Sequence, residues 1–228
     1  HQKATWYGLT NSGWNAAKQL QGKALSYNNL LDLESALATV LEFGYDNNTN
    51  FDDPSPLSAS VILKHNNPCG AAIADSTANA FRKALACDST SAFGGIVAFN
   101  KIVNQDTAKL LSEIFLECVV APSFTKEALE ILSNKKNLRL LEVSKKIINS
   151  NYKGSCKSIM GGLLIQDFDN KTIDSKNWEI VTEKKPTDLE LEDLKFSWKI
   201  CKHVKSNAIV IAKNKTTIGI GAGQMNRV

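Results

Sequence analysis

Apolar positions along this chain follow two alternating periods. Leu30, Leu33, Leu37, Val40 and Leu41 recur every three or four residues, the spacing of one buried helix face. Ala80, Phe81, Ala84 and Leu85 repeat that spacing after Asp75 and Ser76, both residue types that cap helix starts. Short apolar runs of strand length stand at 61–63, 95–99, 118–121, 138–143 and 162–166. The stretches 106–115 and 125–132, which separate the second, third and fourth of these runs, are again helical in period. Thr187-Asp188-Leu189-Glu190 has the capping-box pattern and predicts a helix through Trp198 towards His203; 208–212 and 216–220 then predict paired strands. Segments 45–56 and 149–158 predict loops. Strands and helices alternating in this rhythm predict an α/β fold.

The run 61–63 predicts one strand of a covered parallel sheet, and it leads directly into Lys64-His65-Asn66-Asn67-Pro68-Cys69-Gly70. Pro68 and Gly70 predict a tight turn there. Ligands in open α/β sheets gather outside the carboxyl ends of strands, so Lys64 and His65 are candidate site residues. An imidazole titrating near 6.5 suits proton transfer at neutral pH, and an adjacent cation favours its neutral, basic form. The bland alternative is a solvated strand end with the histidine satisfied by a backbone carbonyl. Ser89 to Gly95 is a second candidate loop, where two glycines allow close approach and N–H groups can meet an anion; otherwise it is a flexible entry into the next strand.

Other motifs are weaker. Gly219-Ile220-Gly221-Ala222-Gly223 has only part of a dinucleotide fingerprint, because Gln224 stands where a further glycine belongs. Pro68-Cys69 has half of a zinc-deaminase motif, but Ala72 replaces the second cysteine and no H-x-E triplet occurs. His65 with Cys69, and Cys201 with His203, lack companions at zinc-site spacing, so no transition metal is expected.

Composition narrows the class. With 43% hydrophobic and 22% charged residues, the 228-residue chain can bury a sizeable core. Its 27 basic and 23 acidic residues are scattered with no basic block, which argues against nucleic acid as partner. Five cysteines without a C-x-x-C pair indicate a reducing compartment, so a cytoplasmic protein is expected. No apolar run approaches the ~20 residues of a membrane span. His1 to Tyr7 show neither an initiator Met nor a signal-peptide layout, so the chain is expected to begin mid-protein.

Lys64 to Pro68, Ser91-Ala92-Phe93-Gly94-Gly95, Val120-Ala121-Pro122, Lys136-Asn137-Leu138-Arg139, Lys205-Ser206-Asn207-Ala208 and Gly219 to Val228 occur in a telling order. In these motifs the chain resembles the formyltransferase domain of the bifunctional purine-biosynthesis (PurH) family, from His1-Gln2 through Val228. The resemblance implies a cytidine-deaminase-like three-layer α/β subdomain without zinc, the first half of a duplicated formyltransferase domain, with flanking elements, over 1–228. It implies transfer of a formyl group from the co-substrate 10-formyltetrahydrofolate to the 5-amino group of aminoimidazole carboxamide ribonucleotide (AICAR). His65 would accept the amine proton, and Lys64 would stabilise the transition state and assist the departing folate nitrogen. Gly94, Glu117, Asn207 and Arg227 would contact the nucleotide, with Arg227 and Val228 facing the reacting groups and folate. A monovalent cation near the carbonyls of 201–207 and a homodimer of the full-length protein are also implied. In the family an IMP cyclohydrolase domain precedes this region and about half of the formyltransferase domain follows it. The chain is therefore expected to be a truncated piece that transfers no formyl group alone. A non-catalytic nucleotide-binding fragment is the alternative.

Overall fold

The computed structural model describes residues 2–45, 57–148, 154–169, 171 and 175–226. In chain order the elements begin with β1 (Lys18–Gln21), α1 (Tyr27–Leu41), β2 (Ser58–Lys64), β3 (Asn67–Ala74), α2 (Thr77–Cys87), α3 (Ser89–Ala92) and β4 (Gly95–Phe99). There follow α4 (Gln105–Ser112), β5 (Leu116–Ala121), α5 (Lys126–Leu132), β6 (Arg139–Glu142), α6 (Lys145–Ile148) and the hairpin β7 (Gly154–Ile159) and β8 (Gly162–Asp167). The last elements are α7 (Asp188–Cys201), β9 (Ile209–Lys213) and β10 (Thr216–Gly221).

Eight strands form one sheet in the order β1-β6-β5-β4-β2-β3-β10-β9, and β7 pairs only with β8. Side chains alternate across a strand, so a continuous apolar run reads as a strand covered on both faces. Val61, Leu63, Ile96, Ala98, Cys118 and Val120 point to one face, where Leu33, Ala36 and Val40 of α1 and Phe196 and Ile200 of α7 cover them. Ile62, Val97, Phe99 and Val119 point to the other, under Phe81 of α2, Leu111 of α4 and Leu132 of α5. Helices thus cover both faces of the sheet, and the α/β class is the one the sequence predicts.

Local chemistry starts the helices. Ser26 and Asn29 form a reciprocal capping box on α1, and Thr187 with Glu190 forms one on α7. Between the two candidates for α2, Ser76 is the cap, while Asp75 Oδ1 accepts from Asn79 Nδ2 at 2.7 Å.

Three expectations change. The strand holding 61–63 is antiparallel to both neighbours, β3 and β4; only β4–β5 and β5–β6 are parallel in this mixed sheet. For β3 the reason is the connection: a two-residue loop can return only an antiparallel strand. The turn residues are His65 and Asn66, at φ 53° and 62°, as a type I′ hairpin requires. Pro68 and Gly70 instead lie within β3, opposite Leu63 and Ile62 at a register shift that bulges the ladder. Finally, 154–158 of the expected loop form most of β7, recruited by the apolar run of β8 across a tight turn; 149–153 and 46–56 lie outside the described residues.

The β3–β10 contact is short in register, and a side chain extends it. Buried Thr217 Oγ1 accepts the Ala71 N–H at 2.9 Å and donates to the Ala71 carbonyl at 3.1 Å. Gly70 explains how closely α2 lies on β3, since a Cβ there would collide with the Ala84 carbonyl oxygen. Among the described residues no helix is long and apolar enough to cross a membrane.

Candidate functional site

Strand direction assembles the site. Because β2 and β10 run against β4, β5 and β6, the carboxyl ends of the first pair share one rim of the sheet with the amino ends of the other three. The crevice therefore does not lie at the carboxyl ends of parallel strands, as the sequence alone suggested. Lys64 and His65 stand on this rim at the end of β2, Gly94 just before β4, Glu117 at the start of β5 and Asn207 just before β9. At the usual spacing of about 4.8 Å per strand, Glu117 is roughly 10 Å from the Lys64 position and Asn207 roughly 14 Å. Lys64, His65 and Gly94 thus form the centre, with Glu117 and Asn207 on opposite flanks.

Lys64 ends its strand with Nζ donating to the Phe93 carbonyl at 2.8 Å. His65 is exposed in the turn, and its left-handed backbone lets two consecutive side chains leave the strand without diverging to opposite faces. Beside them opens a cavity of about 410 Å³ walled by Cys69, Cys87, Asp88, Ser91 and Gly219. Asp88 caps α3, accepting the Ser91 N–H at 2.9 Å. Hydrogen bonds from Ser91 hold its carboxyl below the ordinary value, and the Lys64 cation adds to this. Burial pushes the Cys69 thiol up to about 12 and the Cys87 thiol up as well. The cavity thus holds a cation, a carboxylate and two protonated thiols, with an imidazole at its mouth. That set can accept a proton and stabilise developing negative charge.

Gly94 adopts φ 72°, where a side chain would be strained, and its N–H donates to the Phe115 carbonyl at 2.8 Å. The amides of Ser91 and Ala92 are also taken, both by Asp88. These three N–H groups are therefore not free to meet an anion: Asp88 takes two within the short helix α3, and Phe115 takes the third. Glu117 lies within β5. Its Oε2 accepts from Arg139 Nη1 at 2.6 Å, and Arg139 Nε also donates to the Ala24 carbonyl at 3.1 Å. A mostly buried arginine thus holds this carboxylate in place. Asn207 is held through its N–H to the Gln224 carbonyl at 3.0 Å and its Nδ2 to the Met225 carbonyl at 3.4 Å. Arg227 and Val228 lie outside the described residues.

The paired residues weighed for zinc have other partners. Cys69 Sγ lies 3.5 Å from the Ile62 carbonyl, and His203 Nε2 lies 3.1 Å from Glu42 Oε1. Among the described residues no group of three His, Cys, Asp or Glu is placed to hold a metal ion. Gly219 and Gly221 belong to a strand and open no helix, so the partial fingerprint has none of the geometry that binds a dinucleotide.

Sequence reasoning missed Asp88, and it included Ser91 and Arg139 only within motifs, without a role for either. Asp88 three residues before Ser91 is a readable cap pattern. The Arg139 pairing with Glu117 carries no local signal, because it depends on β5 and β6 being neighbours.

Residues 1–228 match the family described as AICARFT/IMPCHase bienzyme. The chain is 64% identical over 228 residues to the bifunctional purine biosynthesis protein PurH of Prochlorococcus marinus (strain MIT 9515), covering 100% of this chain and 44% of that protein. It is 65% identical over 229 residues to the protein of the same name from strain AS9601, again covering 100% of this chain and 44% of that protein. The chain therefore spans about 44% of the length of the curated relatives it matches. Among solved structures, Acinetobacter baumannii RibD aligns at TM-score 0.34 and 16% identity over 52% of this chain and 35% of that one, too slight a likeness to establish a shared fold.

Proposed function

Because this chain belongs to the AICARFT/IMPCHase bienzyme family, we propose that it carries the acid–base centre for transfer of a formyl group from 10-formyltetrahydrofolate to the 5-amino group of AICAR in purine biosynthesis. The observation that supports this reading is Lys64 and His65 side by side at the mouth of a cavity, on a rim that also holds Gly94 and Glu117. The amine of AICAR is a weak nucleophile, because its lone pair is delocalised into the imidazole and carboxamide. As its nitrogen bonds to the formyl carbon, His65 takes the amine proton and Lys64 stabilises the oxyanion. The tetrahedral centre then collapses, the bond to folate N10 breaks, and the proton on His65 passes to that nitrogen. Gly94, Glu117 and Asn207 flank the nucleotide in this reading, and Arg227 and Val228 face the reacting groups and folate by family resemblance. The three-layer fold would be the cytidine-deaminase-like first half of the formyltransferase domain, working in the cytoplasm as part of a homodimer.

The test uses the full-length protein that contains this chain. His65→Ala should lower kcat by a factor of about 10² to 10⁴ with a much smaller change in nucleotide affinity. Lys64→Arg should also fail, because a planar fork replaces a compact ammonium. Turnover in His65→Ala equal to that of the parent would remove the assignment.

A further inference from the structure

The turn that carries His65 holds two non-glycine residues in the left-handed region, His65 at φ 53° and Asn66 at φ 62°. Such conformations persist where the surroundings over-determine them. Here the peptide unit joining the two residues is bound at both ends. Its N–H, that of Asn66, donates to Asp32 Oδ1 on α1 at 2.8 Å. Its carbonyl, that of His65, accepts from Asn67 Nδ2 at 3.1 Å.

The β9–β10 turn provides an internal comparison. Asn214 and Lys215 sit there at φ 53° and 52°. Asp193 of α7 accepts both of their N–H groups, at 2.8 and 2.6 Å, and Thr216 Oγ1 donates to the Asn214 carbonyl at 3.3 Å. In both hairpins a helix aspartate takes the central N–H and a side chain after the turn takes the central carbonyl. Each turn is also tied to a distant strand or loop: Asn67 Oδ1 accepts the Lys205 N–H at 3.0 Å, across 138 residues, and the Lys215 carbonyl accepts the Ile73 N–H at 2.9 Å.

We propose that Asp32 and Asn67 are positioning residues that fix the imidazole of His65 by pinning the His65–Asn66 peptide from opposite sides. The inference rests on the proposed formyl transfer. It extends that reading to two residues that touch no substrate. An exposed side chain on an unpinned left-handed residue follows every rotation of its peptide, and a displacement of about 1 Å can cost up to about 10²-fold in rate.

The experiment measures formyl transfer by the full-length protein under steady-state conditions. Asp32→Ala and Asn67→Ala should each lower kcat by about 10- to 100-fold while both KM values stay within about threefold, because geometry at the base is lost and binding surface is not. Asp32→Asn keeps an acceptor oxygen and should return kcat to within about threefold of the parent. Asn67→Asp keeps the acceptor for Lys205 but loses the donor to the His65 carbonyl, so it should remain as slow as Asn67→Ala. If Asn67→Ala fails to fold, the near-isosteric Asn67→Asp carries the test. Parental kcat in either alanine variant, or recovery in Asn67→Asp, would overturn the inference. His65→Ala run in parallel separates the two claims. If it is inactive while the alanine variants are normal, only the positioning inference falls; if it turns over normally, the reading of the site falls with it.

Discussion

Replacing Gly70 with alanine should displace a whole helix. Gly70 lies buried in β3, and a Cβ on it would overlap the carbonyl oxygen of Ala84 in α2 and approach Cys87 Cβ to 3.4 Å. The obstructing atom belongs to a backbone, so no rotamer change can clear it. Helix α2 is anchored by buried Ala78, Ala80, Phe81 and Ala84, and must move as a unit or leave the strand. Overpacking typically costs about 1–3 kcal/mol, and a rigid backbone obstruction belongs at the upper end, about 3 kcal/mol. For a chain of this size that corresponds to a fall in Tm of roughly 6–12 °C. The matching control is Gly162→Ala in β8, where a Cβ meets nothing within 4 Å; surface changes of that kind stay within about 0.5 kcal/mol. Thermal unfolding followed by circular dichroism compares the two directly. Helix α2 ends at Cys87, next to Asp88 in the cavity wall, so Gly70→Ala should also weaken nucleotide binding by the full-length protein. If the two alanine variants melt within about 1 °C of each other, the close approach of α2 to β3 is not what Gly70 serves.

Two further outcomes test the electrostatics. Hydrogen bonds from His203, and the neighbouring Lys202, lower Glu42 from the ordinary carboxylate value to about 2 against the opposing effect of burial. A depressed folded-state value stabilises the protein above the unfolded value and is lost as pH falls through the folded one. The stability gap between the parent and Glu42→Gln should therefore be about 2–3 kcal/mol at pH 7 and close between pH 5 and 2; a gap constant over that range in denaturant titrations contradicts it. Burial pushes Cys69 and Cys118 each up to about 12, so iodoacetamide at pH 8 should modify exposed Cys156 first and these two last. Peptide mass spectrometry showing Cys69 labelled as fast as Cys156 would count against the burial.

Much of the fold was legible locally because burial leaves a short-range period. Val61 and Leu63 face one layer and Ile62 the other, which is why their run reads as a strand covered on both sides. Thr187 and Glu190 marked the start of α7 because a cap is made within one turn. The Lys64–His65 pair was visible for a similar reason: it is where an apolar run gives way to polar residues able to move protons.

Strand direction and order were decided only in three dimensions. The antiparallel pairing of β2 with β4 brings the amino ends of β4 and β5 to the end of β2, so Gly94 and Glu117 share a rim with Lys64. The groups that hold the site come from far along the chain: Asp32 bonds a turn 34 residues on, and Asn67 bonds Lys205 across 138 residues. Sequence by itself determined most of the central buried positions, most of the helices and strands though not β1, β3 or β7, and where a basic pair interrupts a strand, because each depends on neighbours within a few positions. The tertiary structure alone decided which end of the sheet carries the site and what pins His65 there, because those contacts exist only after distant strands are laid side by side in one order and one direction.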